Sequence, residues 1–141
     1  MRTLLSAILL TLGTSCGWLQ TGNTGGGLDP RPDGDVVAQG PLSSIKSGYS
    51  ISGTVVIYRL TGSGVLVIRL EGLTVTPAEN TFQMTAEVNG GSDFTTYLRF
   101  VRGNANYNTS LVSPATISRV ILSSPTIPAP QEIATATLTS P

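Results

Sequence analysis

Two β-branched apolar runs on either side of a glycine-rich reversal constrain this chain more than any other feature. Over Tyr49–Leu73, YSISGTVVIYRLTGSGVLVIRLEGL, the runs flank Thr61-Gly62-Ser63-Gly64. Glycine reaches the positive φ values that a tight reversal needs, so the stretch predicts a long β-hairpin. In its first arm Ile51, Gly53, Val55 and Ile57 share one parity, and Ser52, Thr54, Val56 and Tyr58 the other. The first set is expected to face the core, with Val56 giving partial cover to the second face. In the return arm Leu66, Ile68 and Leu70 alternate with Val67, Arg69 and Glu71. That alternation places Arg69 and Glu71 at the surface.

The rest of the chain extends the same pattern. Phe82–Val88 is expected as a third strand, with Phe82, Met84, Ala86 and Val88 on one face. Pro77 marks the turn before it, and Asn89-Gly90-Gly91-Ser92-Asp93 is a dense turn signal after it. Phe94–Val101 is expected as a fourth strand and Arg102–Tyr107 as a polar bend, with Pro114 closing the loop that follows. Ile117–Ser123 and Ile133–Leu138 supply the last two strands, separated by Pro125, Pro128 and Pro130, which prevent regular pairing. No segment carries sustained helical periodicity. With 141 residues, 40% of them hydrophobic and only 11% charged, the chain reads as one all-β domain with extensions. The expected architecture is an antiparallel β-sandwich or small β-barrel of about six to eight strands.

The N-terminus reads as an address. In MRTLLSAILLTLGTSC, Arg2 gives a short positive region, Leu4 to Leu12 an apolar one, and Gly13-Thr14-Ser15 small residues before Cys16. This is the layout of a secretory signal, with too few apolar residues for a membrane-spanning helix. A lone cysteine directly after the small residues is similar to a bacterial lipoprotein signal, which implies lipidation of Cys16 as the first mature residue. An ordinary cleaved signal with a leftover thiol is the plainer alternative. Residues 1–15 are thus expected as signal peptide, 16–35 as a flexible Gly/Pro-rich tether and 36–141 as the β domain. Trp18 and Leu19 would lie at the membrane interface beside the lipid. Asp29, Asp33 and Asp35 lack the spacing and the later Glu of a calcium loop, and read as solvated linker.

Composition removes several functional classes. Formal net charge is zero with no basic run, so the electrostatic footprint for nucleic acid is missing. One cysteine and no histidine leave neither an internal disulfide, nor a zinc-type ligand cluster, nor a common serine triad. Lys46 stands among Ser43, Ser44 and Ser47 and reads as solvated rather than as the base of a dyad. Glu71, Glu79, Glu87 and Asp93 are available as carboxylates, but no spacing pairs them across a cleft. Met84 and the tyrosines are a poor set for metal or haem, and Met84 fits the core better. No catalytic residue, metal or cofactor is therefore assigned.

The surface best suited to a ligand is the bend, Arg102, Asn104, Asn106 and Tyr107, together with Tyr97 and Arg99. Arginine forks, amide pairs and an aromatic face suit a glycan or a protein partner. In the favoured, plainer reading Asn104 and Asn106 cap the bend with side-chain-to-backbone bonds and Tyr107 plugs the edge of the core.

The order of features carries a family resemblance. Ser52-Gly53-Thr54-Val55 opens the hairpin and Leu70-Glu71-Gly72-Leu73 closes it. The bend at 102–107, the strand Val120-Ile121-Leu122 and the closing Ala134-Thr135-Ala136-Thr137-Leu138 follow. Over roughly residues 40–139 this resembles the DM-thirteen domain, also called the electron-transfer DM domain. The resemblance implies a small extracytoplasmic β module associated with redox chemistry through a cysteine in the late strand. Here Leu122 and Ser123 occupy that place, and serine has no thiol–disulfide couple. The family's Gly-Pro-Asp-Leu turn is also altered, to Pro77-Ala78-Glu79-Asn80. The chain is accordingly expected to be a lipid-anchored, non-catalytic module of the bacterial cell envelope with a binding or accessory role. Its partners are the membrane through lipid on Cys16, and an envelope protein or glycan. An electron-transfer accessory working with a partner's cofactor and a small envelope hydrolase are the alternatives.

Overall fold

The computed structural model describes residues 27–77, 81–89, 91–99, 103–124 and 131–141. They form nine strands: β1 (Gly27–Leu28), β2 (Gly34–Ser44), β3 (Ser50–Leu60), β4 (Val65–Thr76), β5 (Thr81–Val88), β6 (Gly91–Arg99), β7 (Gly103–Val112), β8 (Ile117–Ser124) and β9 (Gln131–Thr137). All belong to one sheet in the order β1-β7-β4-β3-β2-β9-β8-β5-β6. Every ladder is antiparallel except the short β1–β7 pair. Phe82 and Met84 of β5, Ile57 of β3 and Ile68 of β4 all lie in one core cluster with no exposed surface. A single flat sheet would leave that face open to water, so the sheet rolls over its own inner face as a half-barrel. The described residues are all-β, as the hairpin pattern predicts, and barrel-like rather than a two-sheet sandwich.

The central hairpin is β3–β4, with Gly62 and Gly64 at φ 83° and 68° in its turn. Inner-face residues Ile51, Val55 and Ile57 join the main core, while Val56, Tyr58 and Val67 form a second buried cluster with Val36 and Leu60 on the outer face. In β4 the buried parity changes from Leu66, Ile68 and Leu70 to Leu73 and Val75. The change falls at a register shift around Gly72, whose φ of 59° marks a bulge. The side-chain oxygen of Asn104 accepts the Gly72 N–H at 2.9 Å, so the bulge leaves no orphan donor there.

Three differences from the sequence expectation matter for the site. The polar bend at 102–107 is not a bend: Gly103–Val112 is a full strand, β7, paired with β4. Residues 34–44, read as the end of a tether and a lead-in, are a strand of 11 residues along β3. Pro41 is accommodated because β2 pairs with β9 only at Ser43 and Ser44, leaving the proline's missing donor on an unpaired stretch. Gly40 packs against that seam, where an added Cβ would run into the carbonyl oxygen of Thr137. Finally, 27–33 crosses the sheet as an arm. The signal segment, Cys16, Trp18, Leu19, Arg102 and the prolines at 125, 128 and 130 lie outside the described residues.

Candidate functional site beneath the N-terminal arm

In β7 the alternation Ala105, Tyr107, Thr109 points inward and is buried, so Asn104, Asn106 and Asn108 share the outer face. On β4 the residues opposite Asn106 and Asn108 are Arg69 and Val67. The arm starts at the free edge of β7, where Gly27 and Leu28 pair with Gly103 and Asn104. One residue on, the Asp29 carboxylate takes over from the backbone and accepts the Asn106 N–H at 3.0 Å. Pro30 has no N–H to offer and strand pairing stops. The chain then crosses the outer face of β7, β4 and β3 to reach β2, and the Asp33 carbonyl accepts the Thr61 N–H at 3.1 Å.

Arg69 is the residue on which the arm closes. Simple alternation assigns it to the surface, yet it is only 3% exposed, because the arm covers the face to which it belongs. Its Nη1 donates toward the carbonyls of Asp29 (2.9 Å) and Pro30 (3.0 Å) and the side-chain oxygen of Asn106 (2.8 Å). Two hydrogens facing three acceptors means that one bond is shared. Nε donates to Glu71 at 2.8 Å, and Glu71 also faces the Arg31 side chain of the arm at 3.4 Å. Asn106 completes the clasp by donating its amide Nδ2 to the Pro30 carbonyl at 2.8 Å. Burying a guanidinium away from water is costly unless its donors are met in this way.

The arm does not seal the face completely. A cleft of about 500 Å³ remains between residues 29–33 and the outer face, lined by Leu60, Thr61, Ser63, Val67, Asn106 and Asn108. Amides, hydroxyls and the Asp33 and Arg31 side chains over a small apolar floor suit a polar, uncharged ligand. A second cavity of about 410 Å³ opens into the mouth of the half-barrel. Its floor is Ile57, Leu66, Ile117 and Leu138, and its rim carries Arg59, Ser113, Thr116, Ser118 and Ser140. Among the described residues no group of three or more Asp, Glu, Cys or His is placed to hold a metal ion.

The expected ligand surface is thus divided. Asn106 lines the cleft, and Asn104 sits beside the Gly72 bulge. Both make side-chain-to-backbone bonds, Asn104 to the neighbouring strand and Asn106 to the arm, rather than around a bend. Tyr107 points the other way, into the core, 7% exposed. Burial first, and the Asp29 charge second, push its phenol far above the ordinary tyrosine range, so it stays neutral. Its hydroxyl has no hydrogen-bond partner among the described residues. Tyr107→Phe is therefore expected to keep the fold and to raise stability slightly, by up to about 1 kcal/mol, in a urea titration. A loss of more than that would mean that the hydroxyl is held. Tyr97 and Arg99 stand on β6, opposite Gln83 and Thr81, at the far edge in strand order from β7. Ser123 is buried on β8.

Asp29 and Asp35 also have partners, the latter an ion pair with Arg59 at 3.2 Å. Sequence reasoning missed Arg69 and Asn108. The alternation of Asn104, Asn106 and Asn108 with Ala105 and Tyr107 was the partial signal that could have found β7 and, with it, Asn108. No family model, curated protein or solved structure matches the chain.

Proposed function

We propose that this chain is a lipid-anchored, extracytoplasmic β module of the bacterial cell envelope, with a binding or accessory role rather than a catalytic one. The observation that carries this reading is the leader, in which Arg2, the apolar Leu4–Leu12 and Gly13-Thr14-Ser15 end on the lone Cys16. The DM-thirteen-like order of features supports an extracytoplasmic module, and Ser123 in the cysteine position argues against thiol chemistry there. The binding role draws on the polar cleft beneath the arm, which offers hydrogen-bonding side chains without an activated nucleophile among its lining residues.

The test is the fate of Cys16 in a bacterial host expressing the full precursor. The mature protein is expected to carry lipid mass on Cys16 and to partition into detergent, and Cys16→Ser is expected to lose both properties. A wild-type chain that is cleaved but carries no lipid would overturn the anchor.

A further inference from the structure

The arm enters the fold at one end of the sheet. Gly27 lies opposite Gly103, and Gly103 opposite Leu73 near the end of β4. Thr76 faces Ser50 across β4–β3, and β2 finishes at Ser44, so the loop 45–49 caps the same end. In that loop Ile45 is 48% exposed, matched among the large hydrophobics of the described residues only by Val112 at 50%. Ile45 is held outward by a fixed backbone: its N–H donates to the Ile133 carbonyl at 2.9 Å, and the loop closes with Tyr49 N–H to Lys46 O at 3.3 Å. Lys46, the sole lysine of the chain, holds its ammonium 5.9 Å from the centre of the Tyr49 ring.

We infer that this end of the sheet is a membrane-facing surface, with Ile45 at the lipid interface and Lys46 among the headgroups. The inference rests on the lipid anchor proposed above. An apolar side chain beside a tyrosine and a flexible cation is the combination that settles at a bilayer surface, where each finds its own medium. The tether sets the geometry. Ten residues, 17–26, separate Cys16 from Gly27. Together they reach at most roughly 35 Å. The sheet measures about 40 Å along β4, taking roughly 3.4 Å per residue over its 12 residues. A tether joined at the 45–49 end brings that end to the leaflet and holds the opposite one away from it. The cleft beside the β3–β4 turn and the mouth at 113–118 lie toward the opposite end, open to the envelope space.

Lipidation places the Cys16 sulfur in a thioether, so in the lipidated full-length protein a cysteine introduced elsewhere is the only free thiol. Ile45→Cys and Val112→Cys, both at exposed sites at opposite ends, are labelled with a fluorophore. Each is then incorporated through its own anchor into vesicles carrying nitroxide-labelled lipid. Quenching is expected to be several-fold stronger at position 45 than at 112. Equal quenching, or stronger quenching at 112, on an anchored protein overturns the orientation and leaves the anchor standing. Labelling of a second thiol, with no lipid mass on Cys16, overturns the anchor and the orientation together.

Discussion

Arg69→Ala is expected to lower the unfolding free energy by on the order of 3 kcal/mol and to release the arm from the sheet. The magnitude follows from what is left behind. The Asp29 and Pro30 carbonyls and the Asn106 side-chain oxygen lose their shared donor, and Glu71 loses its closer cation. Stranding several part-buried acceptors and a partly buried carboxylate costs more than the net strength of any one bond. Two readouts separate release from general weakening. The urea midpoint reports stability, and amide exchange at Asn106, whose N–H is held by Asp29, reports docking. Exchange at Asn106 should accelerate far more than exchange at core positions such as Ile68. Unchanged protection of Asn106 would mean that the arm stays in place without its arginine. Glu71→Gln keeps an acceptor for Nε and is expected to cost about 1 kcal/mol.

Phe82→Ala is expected to be at least as damaging, at about 3–5 kcal/mol. Phe82 is the bulkiest of the fully buried side chains and comes from β5, on the half of the sheet that rolls over toward β3 and β4. A half-barrel has no second layer to collapse into the gap, so the cavity persists and its lining loses contacts outright. A domain of ordinary stability, about 5–15 kcal/mol, would be left close to its threshold. Met84→Leu, a volume-conserving change in the same cluster, should cost less than about 1.5 kcal/mol. A comparable loss from both variants would show that the core tolerates no repacking at all, and an undamaged Phe82→Ala would contradict the closed inner face.

The hairpin and the inner-face residues were legible because burial imposes a period of two, which Ile51, Val55 and Ile57 and then Leu66, Ile68 and Leu70 follow on either side of the glycine turn. β7 was not, because Asn, Ser and Thr dominate it and asparagine disfavours strands on average. Its asparagines are nevertheless consistent with a strand whose outer face bonds to a crossing chain. Arg69 shows the deeper limit. Periodicity says which side of a strand a residue takes, and here it says so correctly. Whether that side meets water depends on a segment 39 or 40 residues earlier in the chain, folded across it. No local pattern encodes that cover, and Asp29-Pro30-Arg31-Pro32 reads by composition as linker.

The crossing of the arm over β7, β4 and β3 also fixes an order of events during biosynthesis. The surface that receives 29–33 requires Arg69 from β4 and Asn106 from β7, set side by side. When the chain leaves the ribosome or a translocation channel N-terminus first, the arm emerges long before Asn106 does. It has nowhere to dock until β7 has joined β4, a pairing between distant parts of the chain and therefore a slow one. In the lipid-anchored reading, the segment nearest the membrane is the first to arrive there, yet it docks only after the emergence of a strand whose Asn106 lies 77 residues beyond Asp29.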